Sequence, residues 1–285
     1  MNQNRIRRVL AALEEEGVSQ MLIVDPMSIY YLTGVYVAPF ERFYALYLRA
    51  DGQHVYFLNR LFTVPENTGL RHVWHSDTDN PMEIVARYLD PNAVLGVDKD
   101  LKARFLLPLM ERNAAKGFVN TSLCIDRTRG VKDEEEQEKM RVASHINDQA
   151  MAVFKTLIHE GVSEKEVADR RIHETVRKAN EIAISKVKPG IPLCQLDAAA
   201  RDLITDQGYG PNFNHRLGHF IGLAEHEYGD VSSSNDQKAE PGMIFSIEPG
   251  IYLPGDTGVR VEDLVLVTED GCELLNHAPK ELEIL

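Results

Sequence analysis

Two kinds of apolar pattern run along this chain. Ile6, Val9, Leu10 and Leu13 recur at i, i+3, i+4 and i+7, one face of a helix, and Gly17 suits the C′ position that ends it. Met21 to Val24 is a short apolar run of the length of a buried strand. Tyr44 to Leu48 and Val55 to Leu58 are β-rich runs on either side of Asp51-Gly52, a hairpin signal. Ile84 to Leu89 reads as helix and Val94 to Val97 as another buried strand. Strands mixed with helices in this way predict a small α/β domain over residues 1–128.

From residue 129 the pattern changes. Asp133, Glu134, Glu135 and Glu136 stand where a helix N-terminus favours negative charge. Met140, Ala143, Ile146, Ala150, Val153 and Leu157 then mark a long amphipathic helix ending near Gly161. Ser163-Glu164-Lys165-Glu166 is a capping-box pattern and predicts a second helix. Lys188-Pro189-Gly190 is a turn, and Leu196 to Ile204 a third helix closed by Gly208. Phe213, His215, Leu217, His219, Ile221 and Leu223 alternate, which predicts a strand with both histidines on one side. Gly218 and Gly222 permit a bulge or a close backbone approach there. A strand from Pro241-Gly242 to Ile247 stops at Pro249-Gly250, and Val259 to Val267 is the last. Residues 129–285 therefore read as an α+β domain, helices first and then an antiparallel sheet.

Composition narrows the function. Lys and Arg number 31 against 44 Asp and Glu, a formal charge of −13. That excess argues against a nucleic-acid partner and against a polybasic membrane surface. No stretch has the length of a membrane span, and Glu14, Glu15 and Glu16 follow the short apolar opening too closely for a signal peptide. Cys124, Cys194 and Cys272 are scattered without CxxC spacing, so neither a disulfide framework nor a thiolate zinc site is expected. The expected compartment is a reducing cytoplasm.

The chemistry-bearing residues cluster late. His215, His219 and His226 fall within twelve residues. They read either as a polar surface strand and loop or as metal and oxyanion ligands; the nearby glycines argue against a zincin helix. Glu248 ends the apolar strand FSIE, where a carboxylate is either solvent-facing or held by a metal or an arginine. Glu262 follows Arg260 by two residues, a surface ion pair or part of a site. One imidazole with two carboxylates makes an oxygen-rich set suited to Mn²⁺, Co²⁺, Fe²⁺ or Zn²⁺. Such an ion would generate hydroxide near neutral pH.

At these residues the sequence resembles the pita-bread metallopeptidases: Xaa-Pro dipeptidases, aminopeptidase P and their creatinase relatives. IYYLTG at Ile29 to Gly34 is similar to a creatinase-type N-terminal domain, and the stretch from Asp126 to Met151 to the family's interdomain junction and first catalytic helix. HRLGHFIGLAEHE, SIEPGIY and GVRVEDLVLVTEDG resemble the late catalytic motifs in order. The resemblance implies cleavage of the peptide bond before proline by metal-activated water, with Mn²⁺ first among the candidate ions. It implies His219, Glu248 and Glu262 as metal ligands, Glu262 bridging two ions. His226 would steady the tetrahedral intermediate, His215 would line the pocket for the proline, and Arg260 would orient the carboxylates. A proline-containing peptide is the implied substrate and a homodimer the implied assembly.

The chain departs from the family in one respect. Members carry two aspartate ligands in a D-x-G…D-x-T-R-T stretch, which has no counterpart here; Asp126-Arg127-Thr128-Arg129 echoes it but matches the junction. The expectation is an incomplete pita-bread domain, with an internal deletion near 180/181. At most one ion is then held, and an exposed sheet edge is left for a second copy to cover. Two further readings follow: a catalytically impaired, peptide-binding pseudoenzyme, and a creatinase-type hydrolase of a small guanidino or amidine substrate.

Overall fold

A computed structural model describes residues 1–157 and 170–281. The chain divides into two compact units, Met1–Arg129 and Gly130–Leu285. The predicted end of the long helix near Gly161 and the predicted capping box at Ser163 to Glu166 lie outside the described residues.

The first unit is a six-stranded mixed sheet with helices on both faces. Its elements are α1 (Gln3–Glu15), β1 (Gln20–Ile23), α2 (Pro26–Thr33), β2 (Ala45–Arg49), β3 (Val55–Asn59), β4 (Arg71–His75), α3 (Pro81–Ala86), β5 (Val94–Val97), α4 (Ala103–Glu111), β6 (Gly117–Asn120) and α5 (Ser122–Gly130). The strand order is β4-β3-β2-β1-β5-β6. The apolar runs are continuous because both faces are buried. Met21, Ile23, Leu46, Leu48, Tyr56 and Leu58 pack with Ile6, Val9 and Leu13 of α1. The alternate residues Leu22, Ala45, Tyr47, Val55 and Phe57 pack with Met82 and Val85 of α3. Gly17 and Gly52 take φ of +69° and +80°, as the C′ and hairpin readings require. The helix expected at Ile84 to Leu89 starts earlier, at Pro81. Asn80 accepts hydrogen bonds from the N–H groups of Met82 and Glu83 and so caps it there.

The second unit begins with α6 (Glu134–Leu157), whose start is a reciprocal capping box: Asp133 accepts from the Glu136 N–H, and Glu136 from the Asp133 N–H. There follow α7 (Arg170–Ser185), α8 (Leu193–Asp206), β7 (Gly218–His219), β8 (Asp230–Val231), β9 (Ile244–Ile247), β10 (Gly250–Tyr252), β11 (Gly258–Arg260), β12 (Asp263–Val267) and β13 (Cys272–Leu274). Ile172, Val176, Ala179 and Ala183 form one buried seam along α7, extended by Val187 just past its end, and pack with Leu193, Leu196 and Ala200 of α8 and with Phe245 and Ile247 of β9. The 180/181 junction lies inside α7, which passes through it unbroken, with Arg177 paired to Glu174 and Glu181 on its outer face.

Two expected strands are interrupted. The alternation from Phe213 to Leu223 yields only a two-residue strand and a bridge from Phe220 to Phe245, because the chain folds back on itself after Phe220. The run from Val259 to Val267 divides into β11, paired with β10, and β12, paired with β9 and β13. The break falls at Val261 and Glu262. The three-stranded sheet runs β13-β12-β9; its edge strand β9 is wholly buried and its edge strand β13 is half-buried. Among the described residues, exposed apolar side chains lie along α6, at Val142, Ile146, Met151 and Val153, and singly at Ile182, Leu223 and Tyr228.

Candidate metal centre

The site is built where three strands end. α8 sets the approach to β7. Its buried Asp197 holds Arg201 through two bonds of 2.7 and 2.9 Å and accepts from the Leu217 N–H. Arg201 in turn donates to the backbone oxygens of Phe213 and His215 and lies over the Phe213 ring. This fixes the segment leading to His219. The Glu248 N–H donates to the Leu217 oxygen at 2.8 Å, which ties the end of β9 to the same segment.

Gly218 lets β7 lie this close. A Cβ there would fall well inside van der Waals contact with the Ser246 carbonyl. Gly218→Ala should therefore push β7 off β9, at a cost of about 2–3 kcal/mol, the upper end for overpacking. Thermal unfolding should show it as a fall of roughly 2–4 °C per kcal/mol. An unchanged midpoint and unchanged metal affinity would refute the close-approach argument.

Ser246 joins two of the candidate ligands. Its hydroxyl accepts from the His219 N–H at 3.0 Å and donates to Glu248 Oε1 at 3.3 Å. His219 Nδ1 lies 3.1 Å from the Phe220 carbonyl, which can only accept, so Nδ1 carries the proton. In the neutral imidazole Nε2 is then the lone-pair nitrogen, 3.5 Å from Glu248 Oε1. A lone pair and a carboxylate oxygen facing each other in a nearly buried place is an arrangement that a cation between them would satisfy.

Glu262 completes the set. Ligand atoms of His219, Glu248 and Glu262 lie within 4.8 Å of one another. Partial burial, and then the neighbouring Glu248 carboxylate, raise the Glu262 carboxyl above its ordinary range, against the opposing pull of Arg260. Arg260 reaches both acids, at 3.5 Å from Glu248 and 3.7 Å from Glu262. The expected surface pair is thus one side of a three-member cluster. His226 is exposed, and its ring centroid is 4.0 Å from that of His219.

His215 belongs to a separate set of contacts. Its ring meets Phe213 edge-on at 5.0 Å and lies 5.5 Å from Tyr252. Its Nδ1 is 2.7 Å from the Arg216 carbonyl, while its Nε2 is buried with no partner. Asp197, Arg201 and Ser246 are supporting residues that the sequence reading missed. The i, i+4 spacing of Asp197 and Arg201 was a usable signal for the first two; Ser246 carried none beyond sharing strand parity with Glu248.

A two-domain chain with a mixed-sheet first unit, and a second unit presenting one histidine and two glutamates that could hold a metal ion, fits a metallopeptidase. The comparisons agree. Residues 168–269 match the model for metallopeptidase family M24, and residues 5–131 the creatinase/prolidase N-terminal domain. An uncharacterized peptidase of Staphylococcus aureus is 30% identical over 352 positions, spanning 97% of this chain and 99% of the relative. The chain belongs to metallopeptidase family M24. Among solved structures, a dipeptidase from Pyrococcus horikoshii superposes with a TM-score of 0.89 at 25% identity, over 99% of this chain and 100% of that one. A dipeptidase from Mycobacterium ulcerans gives 0.87 at 27%, over 98% and 96%. An Xaa-Pro dipeptidase from Bacillus anthracis, at 24% identity and a TM-score of 0.86 over 99% of each chain, shares the fold. The Staphylococcus alignment exceeds the 285 residues of this chain by 67 positions, so the chain skips at least that many of the relative's residues.

Proposed function

We propose that this chain is a metal-dependent peptidase that cleaves the bond before proline, working with a single divalent ion. The observation that carries the reading is the convergence of His219, Glu248 and Glu262, with the His219 tautomer already set for coordination. These three residues would hold the ion, Mn²⁺ first among candidates, with Co²⁺, Zn²⁺ and Fe²⁺ as alternatives. When bound, the ion supplies a Lewis acid that polarises the scissile carbonyl and acidifies water. Arg260 keeps the two carboxylates oriented. His226, exposed beside His219, offers an N–H to the developing oxyanion and a route for the proton to the leaving amine. The aromatic surroundings of His215, made by Phe213 and Tyr252, suit a pyrrolidine ring.

The test is release of the N-terminal residue from Xaa-Pro dipeptides and longer Xaa-Pro peptides, with added Mn²⁺ or Co²⁺ and Xaa-Ala controls. Equal rates on Xaa-Ala would overturn the proline assignment. The second reading, a peptide-binding pseudoenzyme, is favoured by one observation: the one possible metal-holding group of three or more found among the described residues is His219, Glu248 and Glu262. Metal uptake and peptide binding without hydrolysis would select it. Turnover confined to a small guanidino substrate would select the creatinase-type alternative.

Two further proposals accompany this reading. The skipped stretch lies N-terminal to α7, because the buried seam of that helix keeps its phase across 180/181 and the family match begins at residue 168. The assembly is a homodimer, formed over the exposed apolar side chains of α6, in the cytoplasm. Sedimentation at micromolar concentration should give a species of twice the chain mass; a clean monomer would exclude it.

A further inference from the structure

The loop that carries His226 is held from below by a buried ion pair. Lys132, in the segment before α6, places Nζ 3.0 Å from Glu227 Oε2, and the two side chains are 1% and 4% exposed. Glu227 also governs the loop's backbone. Its Oε1 accepts from the Leu223 N–H at 3.1 Å, and its own N–H donates to the Phe220 oxygen at 2.9 Å. Gly222 leaves room for it: a Cβ there would stand 2.7 Å from Glu227 Oε2. Lys132 is itself fixed, since its N–H donates to the Gly242 oxygen.

A buried pair of this kind is a poor way to gain stability. Taking both charges out of water costs about as much as their attraction returns, and apolar replacements often serve as well. What a pair does supply is a unique position for the elements it joins. Here the element is the turn from Phe220 to Tyr228, and the exposed residue immediately before Glu227 is His226. Its ring faces that of His219, 4.0 Å away between centroids, so where the loop holds its backbone sets that contact.

We propose that Lys132 and Glu227 are positioning residues that hold His226 over His219. Neither touches the substrate. The inference rests on the role given to His226 above, and its test separates the two.

The experiment uses the whole chain with Lys132→Met and Glu227→Gln combined, which removes both charges of the pair and retains an oxygen for the Leu223 N–H. Lys132→Leu with Glu227→Gln, which likewise leaves neither charge of the pair behind, is the companion should the first double variant fail to fold. The first readout is the imidazole C–H proton spectrum of the metal-free protein. In the parent chain the His226 resonances should be displaced by the His219 ring; in the variants they should move to the values of a solvent-exposed histidine. Unchanged His226 resonances in a folded variant would overturn the proposal, whether or not the chain hydrolyses any peptide. The second readout is Mn²⁺-supported Xaa-Pro turnover. The double variant should fall to within about two-fold of His226→Ala in kcat, with metal content unchanged, and adding His226→Ala to it should cost nothing more. A loss that multiplies with that of His226→Ala would overturn it. Absence of turnover in the parent chain would count against the peptidase reading alone, since the spectral result still decides the position of His226.

Discussion

Glu248→Gln should lower the affinity for Mn²⁺ or Co²⁺ by more than about 100-fold, beyond the 10–100-fold that loss of a supporting residue costs a metal site. Glu248 is nearly buried and faces the His219 lone pair at 3.5 Å, so its oxygen is the one the imidazole needs a cation to approach. The amide keeps the shape and the Ser246 contact but removes the charge that would draw the ion in. Competition against a chelating indicator measures the change. A second measurement follows from linkage. At a metal concentration 100 times Kd, the parent chain should gain about 2.7 kcal/mol against unfolding, and the variant almost none at the same concentration. In the metal-free protein burial, and then the Glu248 carboxylate, raise the Glu262 carboxyl, so removing the Glu248 charge should let Glu262 titrate lower. Equal affinity in variant and parent would exclude Glu248 as a ligand.

Turnover on Xaa-Pro substrates should be slower than a two-ion mechanism allows, by on the order of 10²–10³, the cost of losing one preorganised electrostatic contact to the oxyanion. Three ligands are found among the described residues, with one carboxylate, Glu262, left to share with any second ion. Two dications a few ångströms apart need more anionic oxygen than that. Elemental analysis after exhaustive dialysis should find no more than one transition-metal ion per chain. Two tightly held ions, or rapid Mn²⁺-stimulated hydrolysis, would show that the chain has ligands beyond His219, Glu248 and Glu262.

Much of this was legible in the sequence, where local chemistry decides local structure. The i, i+3, i+4 spacing of Ile6, Val9, Leu10 and Leu13 makes a helix with one buried face, and Asp51-Gly52 makes a hairpin because Gly52 accepts a positive φ. The order of the late motifs, with His219, Glu248 and Glu262 at their centres, was enough to suggest a metal site. Residue identity sets which atoms can bind a cation, and that information is local.

What the tertiary structure decided is long-range. Parity along Val259 to Val267 treated it as one strand. The fold divides it between two sheets, and the break turns Glu262 toward Glu248. No spacing rule pairs Lys132 with Glu227, 95 residues apart, because such a contact exists only once α6 and the His226 loop have packed. The junction at Asn180 and Glu181 looked like a seam between two motifs. In three dimensions it lies within one continuous helix, since burial against α8 and β9 rewards an unbroken apolar stripe.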